Sequence, residues 1–436
     1  MAQKCIMVSI AIGMSLTCAW AGPKFSFNEA KSTLEITQMY QFWAVGMPDP
    51  QNIPAPDKRL DFYLRRARFG FKGQAFPRLD YQTQFAFDNL GKDPYSGTIG
   101  SPQKLEMTEF RVWDAYLMYH LDSTFANITF GLFRPEVSRE FVNLYSAVPS
   151  LEYALSYYYL RDHLDTRPTA REVGVNLGGL YADSTRIWGA SYNVGVFDAV
   201  QEKVSDLKGS LKWSPLITGR VTFSIGDTDA YKYKLNSDIN FFGRRRGMAI
   251  GAYGTYQGQV NEAYEPKDTV VISSGMLTQK TKGYKGGFKQ NNVYGADLLV
   301  NFAGFELDGE YSFLRREFSD AFKAAYPTAV KKSVTLDKVW HVRGGYSFPL
   351  PRDMFIEPTV MYTRFDGDSA SMTYPAGIDH QLDAGINWYI NKNAFKVSVH
   401  YINQDGQAKS MYTTGLSNGV QKVRDDFIAL AIQIGI

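Results

Sequence analysis

The sequence contains two cysteines, Cys5 and Cys18, and both stand within its first twenty positions. Beyond them there is no thiol, which excludes disulfides, thiolate metal sites and cysteine nucleophiles from the rest of the chain. Past the N-terminal region no apolar run approaches the length of a bilayer-spanning helix. Charge of one sign is also scarce: the formal net charge is +3, too small to mark a nucleic-acid partner. The histidines, His120, His163, His341, His380 and His400, have no spacing that suggests metal binding. No G-x-S-x-G elbow is present, and "GAYGTYQGQ" has spaced glycines but no following helix to make a phosphate loop. No enzyme, metal or cofactor is expected.

What the chain does have begins with "MAQKCIMVSIAIGMSLTCAWAG". Lys4, an apolar run and Ala19-Trp20-Ala21 form a charged region, a hydrophobic region and a small-x-small cleavage site. The expectation is a signal peptide over 1–21, processing after Ala21 and an exported domain over 22–436. Acylation of Cys18 is the alternative, but Ser15-Leu16-Thr17 suits that signal poorly. With 28 Tyr, 29 Phe and 38 Gly, the chain is richer in aromatics and glycine than an ordinary globular domain.

Period-two alternation recurs along the whole length. "REVGVNLGGLY" places Val173, Val175 and Leu177 on one face, and "RIWGASYNVGVF" does the same with Trp188, Tyr192, Val194 and Val196. The opposite faces carry Gly, Ser, Asn or charge. A solvated sandwich would alternate in the same way, so the connections decide. Short turns such as "AFPRL", "LDST" and "NKN" alternate with long segments at 44–58, 89–107, 135–169, 258–290, 315–337, 366–378 and 405–423. That asymmetry predicts an all-β fold, a transmembrane antiparallel β-barrel. Counting gives eighteen strands; those at 34–43 and 234–242 are the weakest, and sixteen remain without them. "GRRRG" at 243–247 then falls in a periplasmic turn as a solvated charge run.

The stretch "LDFYLRRARFGFKG" raises the functional question. Its alternation puts Ala67, Phe69 and Phe71 on one face and Arg66, Arg68 and Lys72 on the other. An arginine facing lipid at the midplane costs about 2–4 kcal/mol, so the charged face must line the lumen. Arg65 has the lipid-facing parity; either it snorkels at the interface, the preferred reading, or a bulge resets the register. By parity Lys208, Lys212, Arg220, Arg343 and Lys396 also point inward. So do Asp88, Asp114, Glu172, Asp297, Glu306, Asp308, Glu310, Glu357 and Asp383. Bases toward one wall and acids toward another suggest a transverse field; mutual neutralisation in a weakly selective pore is the alternative. The long segment 135–170, with Tyr157 to Tyr159, is read as a loop folding into the lumen as a constriction. It offers Arg139, Arg161 and Arg167 as eyelet residues, with Arg134 and Arg171 at the strand ends.

"LRRARFGFKG", "WDAYLMYHL" with "ITFGLFRPEVSREF", "TAREVGVNLGGLY" and "GINWYINKNAFKVSVHY" together resemble the phosphate-selective porin O and P family. The resemblance implies a trimeric outer-membrane porin of sixteen strands, with an arginine ladder and central lysines for phosphate or polyphosphate. Arg66, Arg68 and Lys72 stand in the matching motif, while a full ladder does not align. The expected function is passive diffusion of small hydrophilic solutes across the outer membrane of a Gram-negative bacterium, with a preference for anions. A general or sugar-conducting porin is the alternative. Expected partners are small anionic or hydrophilic solutes, outer-membrane lipids and two further copies of the chain, with no nucleic acid.

Overall fold

The computed structural model describes residues 22–436 other than 30, 49–57, 94–95, 99–110, 165–168, 199–212, 260–270, 274–275, 279–287, 326–331, 369–376, 407–425 and 436. Sixteen antiparallel strands close into one barrel. The first eight are β1 (Ser32–Met47), β2 (Arg59–Phe76), β3 (Leu79–Leu90), β4 (Arg111–Asp122), β5 (Ala126–Phe133), β6 (Glu172–Ala182), β7 (Trp188–Asp198) and β8 (Leu216–Gly226). The rest are β9 (Gly247–Gly258), β10 (Phe288–Phe302), β11 (Phe305–Phe318), β12 (Val334–Tyr346), β13 (Met354–Gly367), β14 (Gly377–Asn391), β15 (Phe395–Gly406) and β16 (Phe427–Gly435). Each pairs with its sequence neighbours, and β1 closes the ring by pairing with β16 from Met39↔Gly435 to Gly46↔Ile428. A short strand, Lys24–Phe27, lies beside the start of β1 and lengthens that seam.

Closure leaves no edge, the condition for a sheet in hydrocarbon, where an unpaired backbone group costs several kcal/mol. The faces sort as the alternation requires. On β6 to β8, Val173, Val175, Leu177, Val194, Val196, Val221, Phe223 and Ile225 are exposed on the outside. Their neighbours Asn176, Asn193, Arg220 and Ser224 are buried inside. Gly131 on β5 holds a positive φ of 131°, and a Cβ there would lie 2.3 Å from the Ala115 carbonyl, so only glycine lets β4 and β5 approach at that point.

The structure corrects the count of eighteen. Residues 234–242 form no strand; the whole connection from Asp227 to Arg246, on the short-turn side, folds up into the barrel. Most of the strand expected at 207–213 lies outside the described residues. Tyr233, Leu235 and Ile239 alternate as a lipid-facing strand would, but they are buried against the lumen face instead. "GRRRG" departs from expectation at Arg245, while Arg244 and Arg246 are exposed in the turn as expected. Arg245 is buried, paired with Asp229 at 3.0 Å and donating to Asn301 at 2.8 Å.

The neighbours Arg220 and Val221 show how sharply the two faces differ. Val221→Arg, which sets a cation on the outer face at mid-strand, is expected to cost about 2–4 kcal/mol of folding stability in lipid. Urea titration of the fraction folded into vesicles measures it; a loss below about 1 kcal/mol would contradict the assignment of that face.

Candidate functional site

Between β5 and β6 the chain turns into the lumen. Ser138 caps a first helical turn, α1 (Arg139–Val142), by accepting from the Phe141 amide at 3.2 Å. A second helix, α2 (Leu155–His163), buries Leu155, Tyr157, Tyr158, Tyr159 and Leu160. Tyr159 stacks on Phe365 of β13 at 4.0 Å between ring centroids and donates its hydroxyl to Asp379 of β14. His163 at the end of α2 faces the carbonyls of Asn292 and Arg315, and burial beside Arg316 holds its imidazole well below the ordinary range. The neutral ring with hydrogen on Nε2 suits those two acceptors.

Charged side chains fix the loop to walls far apart in the ring. Glu140 accepts a fork from Arg343 of β12, with Nη2 to Oε2 at 2.7 Å, and also receives the Ala154 amide at 2.7 Å. Arg343 grips Asp308 of β11 at 2.9 Å on the same side. Burial pushes the Glu140 carboxyl up, but Arg343 and His341 outweigh it and hold it below the ordinary value. Glu140, Asp308 and His341 have the ligand types of a divalent-cation site and converge closely. The guanidinium of Arg343 already supplies the cation there. Elsewhere Asp383 receives the Leu151 amide at 2.9 Å, Lys396 donates to the Val148 carbonyl at 3.0 Å, and Gln433 donates to Ser146 at 3.2 Å.

On β2 Arg65, Arg66 and Arg68 all turn inward. Gln41 pairs with Arg66 and Phe42 with Leu64, so Arg65 is the extra residue of a β-bulge. This overturns the interface reading for Arg65 and upholds the register shift. Arg65 donates to Glu152 of the loop at 2.6 Å and to Asn89 at 3.0 Å. Arg66 pairs with the other oxygen of Glu152. Arg68 forks onto Asp88 and lies 4.1 Å from the Trp113 ring centroid, while Arg171 lies 4.2 Å from the same ring and 3.2 Å from Asp114. Trp113 and Tyr145 thus interleave Arg66, Arg68 and Arg171 into one cation–π column.

A second cluster forms where the inward segment 227–246 meets the loop. Arg139 donates to Asp297 of β10 at 3.2 Å and to Asp229 of the segment at 2.6 Å, and Arg220 of β8 forks onto the same Asp297. The Leu144 amide donates to the Ser237 carbonyl at 3.2 Å, and Arg134 reaches both the Phe141 carbonyl at 2.8 Å and Asn236 at 3.3 Å. The far side of the segment is held by Asn240, which donates to Glu357 at 2.8 Å, and by Asn301, which donates to the Ile239 carbonyl at 3.0 Å. Glu136 stands beside this cluster; burial pushes it up to about 8, against the pull of Arg220 and Arg134.

Of the site residues expected from sequence, the structure brings Arg66, Arg68 and Arg171 together in the column and Arg139 and Arg220 together on Asp297. Lys72 stands apart, exposed and paired with Glu35 at 2.9 Å near the short-turn end. Arg161 also stands apart, half-buried beside Asp162. Arg167 and Lys212 lie outside the described residues. Sequence reasoning missed the part taken by Glu140, Glu152 and the segment 227–246. For the two acids the available signal was their place in a loop predicted to enter a lumen lined by bases.

The profile of the phosphate-selective porin O and P family matches residues 49–424, so the chain belongs to that family. No curated protein matches the sequence. Among solved structures the chain resembles OmpF of Salmonella typhi in complex with daunomycin (TM-score 0.55, 14% identity, 94% of this chain and 100% of that one). It resembles the anion-selective porin from Comamonas acidovorans at a TM-score of 0.53 and 10% identity, over 93% of this chain and 100% of that one. It also resembles the trimer form of OmpT of Vibrio cholerae (TM-score 0.50, 11% identity, 93% and 99% covered). The chain is therefore an outer-membrane β-barrel porin of a Gram-negative bacterium.

Glu152 generates a pH prediction. Burial pushes its carboxyl up, but Arg65 and Arg66 pull harder and hold it at about 2, below the ordinary 4.5. A depressed value means the ion pairs contribute stability that is present above 4.5 and lost as pH falls toward 2. Open-channel current noise should stay low on acidification through the ordinary carboxylate range and rise only near pH 2. Glu152→Gln should be noisy already at neutral pH. Noise that rises with an ordinary carboxylate titration would show that Glu152 does not anchor the loop.

Proposed function

We propose that the barrel conducts small hydrophilic solutes by passive diffusion with weak ion selectivity, through a constriction formed by the loop 135–170 and the segment 227–246. One observation carries this reading. Arg66, Arg68, Arg139, Arg171, Arg220, Lys72 and Arg161 each have a carboxylate oxygen within 3.2 Å. A guanidinium already matched by a carboxylate has little field left for a passing anion, and an anion that binds must displace its partner. What persists is a transverse field. Arg65, Arg66, Arg68 and Arg171 share Glu152, Asp88 and Asp114, four cations to three carboxylates, so a small positive surplus stays on that wall. Such a field orients dipolar solutes across the path while opposing neither sign strongly.

The second reading is the phosphate or anion preference in the family's description, supported by the Arg66, Arg68 and Arg171 column. Its guanidinium planes are ordered by Trp113 and Tyr145, and a ladder of such planes suits phosphate oxygens. A homotrimer is proposed as well, in line with the trimer form of the similar OmpT.

The reversal potential in a planar bilayer under a potassium chloride gradient separates the two. Weak selectivity predicts a value near zero and no block by added phosphate. Asp88→Asn with Asp114→Asn, which strips Arg68 and Arg171 of their carboxylates, should then shift the potential toward anions. A wild-type channel that already prefers anions strongly, and whose phosphate block is lost in Arg68→Ala, would replace this reading with the second.

A further inference from the structure

Trp113 stands inside the arginine column and owes its place there to a second bulge. On β4 Asp114 pairs with Gln84 and Val112 with Phe85, so Trp113 is the extra residue between them. It therefore shares the lumen side with Asp114. Arg68 of β2 lies 4.1 Å from its ring centroid and Arg171, at the start of β6, lies 4.2 Å from it. The two arginines come to the ring from opposite sides of β4 in the order of strands. Both are buried, at 1% and 3% exposure, while the indole is only half-buried. A buried Trp N–H ordinarily finds an acceptor, but that of Trp113 has none among the described residues. What holds the ring is the pair of cations against its π-system, the contact for which indole is the best of the aromatic rings. Charge on this wall is also unbalanced. Among the described residues Arg65, Arg66, Arg68 and Arg171 meet three carboxylates, Glu152, Asp88 and Asp114.

We propose that Trp113 determines the selectivity of the channel: its indole fills the place between Arg68 and Arg171 that a small anion would otherwise take. Asp88 and Asp114 meet the edges of these guanidinium groups, and the ring stands between the groups themselves. Its π-electrons give each cation a partial counter-charge, yet they admit no ion. On a wall with one cation more than it has carboxylates, that counter-charge takes the place of the missing anion. The indole is also the part of the stack that reaches the lumen, so a small residue at 113 opens the gap to solutes. A phosphate entering there would meet two guanidinium groups at once, the arrangement that suits its oxygens. The inference rests on the weak-selectivity reading and names the residue that keeps the column from binding anions.

The test is planar-bilayer recording on the whole refolded protein under a potassium chloride gradient, with inorganic phosphate added. Trp113→Ala should shift the reversal potential toward anions, and phosphate should block it at a concentration at least about tenfold below any that affects the wild type. Trp113→Phe keeps a smaller ring with a weaker π face, so its change should be intermediate, about threefold. If Trp113→Ala does not fold, Trp113→Phe decides alone. A conducting variant with the reversal potential and phosphate response of the wild type would overturn the proposal. Equal changes in Trp113→Ala and Trp113→Phe would overturn it too, because the π face would then count for nothing. So would a wild type blocked by phosphate whose block is lost in Trp113→Ala, since the indole would then build an anion site instead of filling one. A wild type already selective for anions, with block that deepens in Trp113→Ala, would overturn the weak-selectivity reading and leave the role of Trp113 standing.

Discussion

The loop between β5 and β6 is held inside the barrel by two glutamates that reach separate walls. Glu152 bridges Arg65 and Arg66 on β2, and Glu140 takes the guanidinium of Arg343 on β12. Removing Glu152 would leave Arg65 and Arg66 buried side by side without the carboxylate they share, and removing Glu140 would leave Arg343 to Asp308 alone. A buried charge without its partner is far costlier than the pair, which explains why the remaining polar atoms of the region align around these contacts. Arg343 joins Glu140 and Ser150 of the loop to Asp308 of β11, and Glu140 in turn accepts from the Ala154 amide and the Asn143 side chain. Between these anchors α2 lays Tyr159 on Phe365 of β13.

The same frame determines what the lumen offers to a solute. Hydrocarbon outside favours an inward place for cations such as Arg66 and Arg343, and the loop brings Glu152 and Glu140 to meet them. The segment 227–246 enters from the opposite end and meets the loop through Asn143, Arg134 and Arg139. Two inward connections from opposite mouths thus share one contact zone at the Asp297 node. On the proposed reading, selectivity in this arrangement is a property of ion pairs rather than of single residues.

Much of the fold was legible because lipid imposes period two on every strand, and short and long connections sort to opposite ends. Val173, Val175 and Leu177 face outward as that rule requires. The rule misled at 234–242, where Tyr233, Leu235 and Ile239 alternate equally well but pack inside the lumen; alternation reports one buried face without saying against what. Arg65 escaped for a related reason, since a bulge changes parity by one residue and leaves no composition signal. Inward direction was correct for Arg66, Arg68, Arg220 and Arg343, whereas Lys72 lay beyond the enclosed part of its strand. The partners were illegible throughout. Arg343 and Glu140 are 203 positions apart, and a count of bases against acids does not say which meets which.

Carboxylates of the protein meet the lumen arginines Arg66, Arg68 and Arg171. Anomalous diffraction from crystals soaked in arsenate, a heavy stand-in for phosphate, asks whether a solute anion can take their place. No ordered arsenate is expected against Arg66, Arg68 or Arg171, with Glu152, Asp88 and Asp114 still in place. An arsenate seated between two of those arginines, with a carboxylate swung away, would contradict it.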